Sequence, residues 1–337
     1  MKKIKVGFGP KTTANSFTQS GIKVAKTLND YEGFEAATFG ETFEIEDLAQ
    51  FDVLVFIKIL PEYNVLKELK ILGKKIIFDY HDAFLIPTAY ETNLIKKILK
   101  SIYYFNLERA ERKKYSLIDL CFVASKGAEQ VAKTAGLKTK FLFRQIFNDW
   151  NEFHFKQHTE KSEGLVIGWT GVSLNIDQNA EIKTVLEKLC KKYNSTISYL
   201  TDVIKNDQDE EVFKYKLWSL ETWEKDILEW DISFRWWLDS NHQRHKDSNK
   251  IISYMAAGIP VVCRPTNSDE EIIKNGETGF FANNICEFEE QLDNLIKNPK
   301  LRKYIGENAH KYVWQNYSLR KHVDEIKKTI EEIMSVE

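Results

Sequence analysis

The feature that most constrains the fold is an alternation of short apolar segments with longer segments of helical periodicity, and it occurs twice along the chain. Apolar segments occupy residues 4–8, 52–57, 75–79, 120–124, 165–169, 196–201, 231–237 and 259–263. Strands without polar alternation are typical of a parallel sheet covered by helices on both faces. The pattern therefore predicts an α/β fold with two Rossmann-like, doubly wound parallel-sheet domains facing a cleft.

Length and linker composition agree with two domains. The chain has 337 residues, and a domain commonly takes ~150 residues. Residues 156–164 (KQHTEKSEG) are polar, charged and without periodicity, which predicts a linker between the two halves.

Composition excludes several classes of protein. The 48 basic and 50 acidic residues give a net charge of −2, whereas a dedicated nucleic-acid-binding domain is usually basic. No apolar run reaches the ~18 residues of a membrane span, and the apolar stretch at the N-terminus is too short for a signal peptide. The four cysteines lie far apart, which argues against a zinc site and favours reduced thiols in a cytoplasmic protein.

One local charge stands out from this balance. Residues 94–115, from Leu94 to Tyr115, contain seven Lys and Arg against two Glu, and their apolar residues recur at near-helical spacing. A basic amphipathic helix can lie on an anionic membrane. A helix packed on its own sheet, with a solvated basic face, explains the same pattern.

The most informative segment is residues 246–262 (KDSNKIISYMAAGIPVV). Ser248 can cap a short helix, Gly258 can end it in the left-handed conformation, and Pro260 prevents its continuation. An ordinary helix–turn–strand unit would have the same features.

A second motif, residues 270–280 (EEIIKNGETGF), follows a predicted strand. A helix that starts at the carboxyl end of a parallel strand presents free N–H groups, which is where an anion such as a diphosphate binds. The alternative is structural, because Ser268 and Glu271 have the spacing of a capping box.

Together these motifs resemble the C-terminal half of retaining glycosyltransferases of the GT-B fold, family 4. The match from Lys250 to Phe281 follows the family order Lys-x-x-Glu-x-Met-Ala-x-Gly-x-Pro-Val-Val, then Glu-Ile-Ile-x-Asn/Asp-Gly-x-Thr-Gly-Phe. The resemblance implies an acceptor-binding domain at residues 1–157 and a nucleotide-sugar-binding domain at 165–316. It also implies that helix 317–337 crosses back to the first domain, and that a metal-independent sugar transfer proceeds with retention and without a cofactor.

The sequence departs from this family at its Glu-x7-Glu motif, where it has His245 and Ser253. In similar enzymes one Glu contacts the donor sugar and the other the ribose, so Ser253 would offer the ribose only a hydroxyl. A subgroup has a Lys-Ser-x-x-Lys-like run before the helix, which Lys246, Ser248 and Lys250 resemble. These lysines would neutralise the donor diphosphate, and Glu271 would contact the donor.

Glycine-containing loops are further candidates. By the resemblance, Gly171, after the first strand of the second domain, would lie over the donor phosphates, although a tight turn alone also uses glycine. No Arg–Lys pair for the diphosphate follows it, which leaves Arg264 as a further candidate. Gly9 and Gly21 flank a long polar loop after the first strand, where similar enzymes let the loop approach phosphate. Gly21 equally fits a plain helix start.

His81 and Asp82 follow the predicted strand at residues 75–79. A side chain after a parallel strand can point into a ligand-binding crevice. By the resemblance, His81 would act near the donor sugar and Asp82 would orient it or contact the acceptor. A histidine that only satisfies loop backbone groups is the alternative.

The function that follows is transfer of a sugar from a nucleotide-diphosphate sugar to a glycan or lipid-linked acceptor in cell-surface polysaccharide or glycoconjugate synthesis. The protein would work in the cytoplasm, at the inner face of the membrane if residues 94–115 bind it, without a nucleic-acid partner or bound metal. Asp207 and Asp209 have the spacing of a metal motif, but their charged surroundings favour a solvated loop. A non-catalytic glycosyltransferase-like binding protein, or a sugar-nucleotide epimerase of the same fold, is the alternative.

Overall fold

The computed structural model describes residues 3–12, 15–81, 109, 111–144, 154–204, 211–238 and 241–335. The chain forms two compact units. The first unit consists of Met1–Ile146, Ser240–Asp247 and Leu319–Glu337, and the second consists of Phe147–Asp239 and Ser248–Ser318.

The first unit is built on a six-stranded sheet in the order β2-β1-β3-β4-β5-β6. Its strands are β1 (Ile4–Gly9), β2 (Phe34–Thr38), β3 (Val53–Ile57), β4 (Lys75–Asp79), β5 (Leu120–Val123) and β6 (Lys140–Phe143). All neighbouring strands are parallel. All five residues of β3 are buried, as expected for a strand covered on both faces.

The second unit is built on another six-stranded sheet, in the order β12-β11-β10-β7-β8-β9. Its strands are β7 (Val166–Thr170), β8 (Thr196–Thr201), β9 (Phe213–Leu217), β10 (Ile232–Arg235), β11 (Val261–Cys263) and β12 (Phe280–Phe281). These strands are also parallel. The strand order reverses at β7, which is the arrangement of dinucleotide-binding folds.

Helices cover the faces of both sheets. In chain order they are α1 (Val24–Leu28), α2 (Ile45–Leu48), α3 (Tyr63–Ile71), α4 (Lys126–Ala135), α5 (Lys183–Lys192), α6 (Trp223–Leu228), α7 (Asn241–Arg244), α8 (Asn249–Ala256), α9 (Asn267–Ile272), α10 (Ile285–Lys297), α11 (Pro299–Asn316) and α12 (Leu319–Ser335). Helix α1 is preceded by Asn15–Phe17 and a π-helical Thr18–Lys23, and α5 by a 3-10 helix, Ser173–Ile182.

Each unit has its own core on both faces of its sheet. In the first unit, α12 contributes Val323, Ile326 and Ile330 to one face, so the C-terminal helix belongs to the core of the first sheet. In the second unit, five of the eight residues of α8 are buried. In the described parts of the chain, no helix is long and apolar enough to cross a membrane.

The predicted parallel strands are confirmed, and the prediction of a linker at residues 156–164 is wrong at its start. The backbone N–H of Lys156 donates to the Ala257 carbonyl (2.8 Å), and His158 Nε2 lies 2.9 Å from the Gly258 carbonyl. The unpaired carbonyls at the end of α8 need donors, and this polar segment supplies them within the second unit. Gly258 has φ +71, which confirms the predicted left-handed helix end.

Residues 94–108 and 110 of the basic stretch lie outside the described residues, as do Asp207 and Asp209. The free cysteines Cys121, Cys190 and Cys263 are buried, and Cys286 is exposed.

Candidate functional site

The carboxyl ends of β7 and β10 adjoin where the strand order of the second sheet reverses. The loops that leave strands at such a reversal form a crevice, and ligands of open α/β sheets bind there. Gly171 follows β7 directly, so this predicted donor-binding residue lies at the reversal.

Lys250 of α8 lies against this loop. Its Nζ is 4.9 Å from the centre of the Trp169 ring. A Cβ atom on Gly171 would come within 2.5 Å of both Lys250 Nζ and the Trp169 ring. Glycine at position 171 therefore makes room for the lysine, and a positive charge is held beside the reversal.

Helix α8 is fixed to the end of β7 by Tyr254. The backbone N–H of Thr170 donates to the Tyr254 hydroxyl (3.0 Å). Tyr254 is fully buried, and this burial raises its pKa. The hydroxyl thus stays neutral and links the helix that carries Lys250 to the strand that precedes Gly171.

The prediction that the Ser248 side chain caps α8 is wrong. Ser248 stands at the N-cap position of α8, but its side chain makes no capping hydrogen bond. Instead, its buried hydroxyl donates to Asp269 Oδ1 (2.5 Å). Asp269 in turn forms an ion pair with Arg235, so Ser248 belongs to a buried polar group.

A capping box is present at the start of α9, but it is formed by Thr266 and Asp269 rather than by the predicted Ser268 and Glu271. Thr266 caps α9 by accepting from the Asp269 N–H, and the Asp269 carboxylate accepts from the Thr266 N–H. The helix begins earlier than the Ser268 and Glu271 spacing implies, and Glu271 is exposed. A carboxylate of the chain itself therefore occupies the start of α9, where the sequence analysis expected an anion.

The remaining donor-site candidates lie around α8. Ser253 Oγ donates to the Asn249 carbonyl of its own helix (2.9 Å). Lys246 and His245 are half-buried and belong to the segment Ser240–Asp247 of the first unit. Burial and the neighbouring Arg244 charge lower the pKa of His245.

Arg264, the other candidate for binding the diphosphate, follows β11, and its side chain is held by several contacts. Its guanidinium lies 4.1 Å from the Trp236 ring centre and donates to the Trp237 carbonyl (2.8 Å). Trp237 Nε1 donates back to the Arg264 carbonyl (2.7 Å), and Glu181 pairs with the guanidinium. These contacts join the ends of β10 and β11.

In the first unit, His81 is part of a buried ionic cluster at the carboxyl end of β4. Its Nε2 lies 3.0 Å from Asp79 Oδ2 and 3.0 Å from Ser20 Oγ. Arg144 donates through Nε to Asp79 Oδ1 (3.0 Å), and its Nη2 lies 2.8 Å from His81 Nε2. Asp247 Oδ2 approaches His81 Nδ1 at 3.5 Å.

The side chains of Asp79, His81 and Arg144 are at most 4% exposed. Burial alone would raise the pKa of Asp79, but the Arg144 and His81 charges lower it to about 2. For His81, burial and Arg144 act to lower the pKa, and the two neighbouring carboxylates outweigh them and raise it. Two carboxylates, Asp79 and Asp247, therefore face the Arg144 guanidinium and an imidazole whose pKa is raised.

Of the residues in this cluster, His81 is predicted from the sequence, whereas Arg144, Asp79 and Asp247 are not. Arg144 follows the short apolar run 141–143, and a charged residue directly after a strand is the one signal available. Asp82 lies outside the described residues.

Gly9 and Gly21, the predicted phosphate-loop residues, pack closely against side chains of the first unit. A Cβ atom on Gly9 would lie 2.3 Å from the Phe39 ring, and one on Gly21 would lie 2.9 Å from the Phe17 ring. Both glycines are needed for this packing. Beyond Gly9, a pocket of about 380 Å³ opens, lined by Pro10, Lys11, Thr12, Glu41, Phe43 and Ile59.

Part of the chain resembles known glycosyltransferases in sequence. The protein-family model described as glycosyl transferase-like matches residues 202–328, which contain β9 to α11 and the helix that carries Lys250. An uncharacterised glycosyltransferase of Methanocaldococcus jannaschii is 28% identical over 101 residues, which are 29% of this chain and 26% of that protein. The match thus spans about a quarter of the relative's length.

Solved structures superpose on all or nearly all of the chain. A glycosyltransferase from Rickettsia africae superposes with a TM-score of 0.71 at 15% identity, covering 100% of both chains. HepE of Anabaena, crystallised with UDP-glucose, superposes with a TM-score of 0.69 at 12% identity, covering 98% of this chain and 100% of that one. The chain therefore has the GT-B fold of these proteins, with the Rossmann-like sheets that its sequence predicts.

Proposed function

We propose that this protein is a glycosyltransferase that moves a sugar from a nucleotide-diphosphate sugar to a glycan or lipid-linked acceptor. The observation that carries the proposal is Lys250, held beside Gly171 at the strand-order reversal of the second sheet. The fold of the solved relatives and the match of residues 202–328 to a glycosyltransferase-like family support it.

In this proposal the second unit binds the donor. Lys250 would neutralise the diphosphate, whose negative charge grows as its bond to the sugar breaks, and preorganised cations stabilise such charge effectively. The sugar C–O bond to the diphosphate breaks, a C–O bond to the acceptor forms, and the acceptor oxygen loses its proton. Retention of configuration and independence of metal ions are parts of the same proposal.

The first unit would bind the acceptor. Its pocket of about 380 Å³ combines Lys11, Thr12 and Glu41, which can bind hydroxyl groups, with the apolar surfaces of Phe43 and Ile59. Mixed polar and apolar linings are typical of small-molecule sites. If the acceptor is lipid-linked, residues 94–115 would hold the enzyme at an anionic membrane face, which co-sedimentation with anionic and neutral vesicles tests.

The experiment that tests the function is a thermal-shift screen with UDP, GDP, CMP and dTDP sugars, followed by an assay for nucleotide release with and without EDTA. UDP-glucose is the first probe, because HepE was crystallised with it. Stabilisation by one nucleotide family, and EDTA-resistant release that rises when acceptor is added, is the expected result. Absence of any nucleotide-sugar binding would overturn the proposal.

A second candidate is a non-catalytic glycosyltransferase-like binding protein. The observation that favours it is Ser253, whose hydroxyl is hydrogen-bonded within its own helix at a position where similar enzymes carry a carboxylate. Saturable donor binding without turnover, in the presence of a broad acceptor panel, would favour this candidate over the enzyme.

A further inference from the structure

Asp247 is the last residue of the first-unit segment Ser240–Asp247. Its carboxylate lies 3.5 Å from His81 Nδ1, and its side chain is only 12% exposed. The next residue, Ser248, is fully buried and donates to Asp269 within the second unit. Two consecutive residues are thus fixed by buried polar contacts, each within its own unit, directly before α8.

The surroundings of His81 explain why a carboxylate at position 247 matters. Charged and polar groups reach the imidazole or its partners from several elements of the first unit. They are Ser20 of the π-helical turn, Asp79 of β4, Cys121 of β5, Arg144 after β6, His322 of α12 and Asp247. Burial keeps Cys121 and His322 neutral, because it raises the pKa of the thiol and lowers that of the imidazole to about 3.

Among the described residues of this cluster, Asp79 then offsets Arg144, and the Asp247 carboxylate faces the imidazole and balances its charge when His81 is protonated. Unbalanced buried charge is costly, so the imidazole and the carboxylate each hold the other in place.

We propose, on the basis of the transfer reaction proposed above, that Asp247 is a positioning residue that binds the His81 imidazole and so fixes the chain entering α8. Lys250 follows three residues later, and each helical residue advances the chain by about 1.5 Å. Tyr254 holds the second turn of α8 through its hydroxyl. Lys250 lies in the first turn, and that turn is the part of the helix that the contact at Asp247 steadies.

The test uses the full chain with Asp247→Asn, Asp247→Glu and a matched control, Asp231→Asn. Asp231 is also 12% exposed in its side chain and also forms an ion pair, with Lys156 (2.9 Å), but it lies in the second unit. Three measurements are made: titration of His81 by NMR, hydrogen exchange of peptides covering residues 241–252, and steady-state kinetics with the donor found in the nucleotide-sugar screen.

Asp247→Asn keeps the shape of the side chain and removes its charge. We expect the His81 titration midpoint to fall by about one pH unit, and the amides of residues 246–250 to exchange about tenfold faster. The donor KM should rise about tenfold, because Lys250 is less well placed. Asp247→Glu should restore the midpoint and most of the KM, and Asp231→Asn should leave the titration and the exchange unchanged.

The proposal requires both the titration and the exchange to change. If either stays at the wild-type value in Asp247→Asn, or if Asp231→Asn changes them equally, Asp247 is not a positioning residue. If both change as expected but the wild-type protein turns over no nucleotide sugar, the positioning role stands and the proposed enzymatic function fails.

Discussion

The two sheets have similar architectures but end differently at their carboxyl edges. At the first sheet, Asp79, His81 and Arg144 form a buried cluster whose side chains are at most 4% exposed. At the second sheet, Lys250 is half-buried beside Gly171. Large apolar side chains are exposed after the strands there, namely Val172, Leu174, Val203, Ile204, Leu217, Trp218 and Leu220.

This difference shows two uses of one kind of edge. In the first unit, the chain supplies both the anions and the cations, so their charges satisfy one another. In the second unit, Gly171 leaves space for the Lys250 ammonium, which lies over the Trp169 ring. Because a buried ion cluster lies at one edge and a half-buried lysine beside a glycine at the other, substitutions at the two edges should have different consequences.

The largest expected effect is on stability. It comes from Arg144→Met, in the buried cluster of Asp79, His81 and Arg144 at the carboxyl edge of the first sheet. This change leaves the buried Asp79 carboxylate with only the His81 imidazole opposite it, and removal of one partner of a buried ion pair typically costs about 3–5 kcal/mol. Urea denaturation measures the loss in the free energy of unfolding.

Two further variants make the result specific. Arg264→Met, at the edge of the second sheet, should cost less, about 1–2 kcal/mol, because its ion-pair partner Glu181 is 40% exposed and is not left as a buried charge. Addition of Asp79→Asn to Arg144→Met should recover part of the loss. A cost for Arg144→Met no larger than that for Arg264→Met would contradict the difference between the edges.

The next effect is on ligand binding. It comes from Lys250→Ala, beside Gly171 at the carboxyl edge of the second sheet. Loss of a charge-assisted contact to a diphosphate should weaken binding by about 10–100-fold, corresponding to about 1.5–3 kcal/mol. Calorimetry with the nucleoside diphosphate identified in the screen measures it. Lys188→Ala, at a surface lysine paired with Glu289, is the control and should bind normally. Wild-type affinity in Lys250→Ala would remove Lys250 from the donor site.

The third effect is a loss in the free energy of unfolding of the protein at acid pH, caused by His322. Burial and the Arg144 charge lower the pKa of His322 to about 3, so between pH 6.5 and 3 the unfolded chain binds a proton there and the folded chain does not. The folded state should therefore lose about 1 kcal/mol for each pH unit below 6.5. His81 has the opposite sign: its raised pKa favours the folded state at low pH, and that contribution is lost as the pH rises through the folded-state value.

His322→Phe removes the first dependence, so the slope of unfolding free energy against pH below 6.5 should become smaller. Denaturation midpoints measured between pH 5 and pH 8 test this. His154→Phe, at an exposed histidine of the second unit, should keep the wild-type slope. An unchanged slope in His322→Phe would show that this histidine does not cause the acid sensitivity.

Much of this fold could be predicted because its information is local. The central strands β3, β4, β5 and β7 are mainly apolar, so their burial follows from the residue types. The edge strands were missed because their composition is mixed: β6 and β9 carry exposed lysines among their apolar residues. A strand paired on one side tolerates such residues, so its sequence resembles a loop.

The two candidate sites also differed in how far the sequence could predict them. Gly171 and Lys250 were candidates from motif resemblance, and the structure places them in contact. Arg144 was missed because its partner Asp79 lies 65 residues away in the chain, and no short motif contains both. The pairing arises only when β4 and β6 both join the sheet next to β5, so sequence spacing gave no sign of it.

The smallest expected effect comes from Gly171→Ala, which adds one carbon atom beside Lys250 at the carboxyl edge of the second sheet. That atom would lie 2.5 Å from Lys250 Nζ and from the Trp169 ring, so the flexible lysine must move. We expect a loss in diphosphate affinity of about fivefold, or about 1 kcal/mol, with little change in stability because the end of a lysine side chain shifts at low cost. Gly40→Ala, in the first unit, is the control, because nothing lies within 4 Å of its added Cβ atom. If Gly171→Ala binds the diphosphate as tightly as Gly40→Ala does, the position of the ammonium beside residue 171 does not matter for binding, and a site at this edge must use other groups.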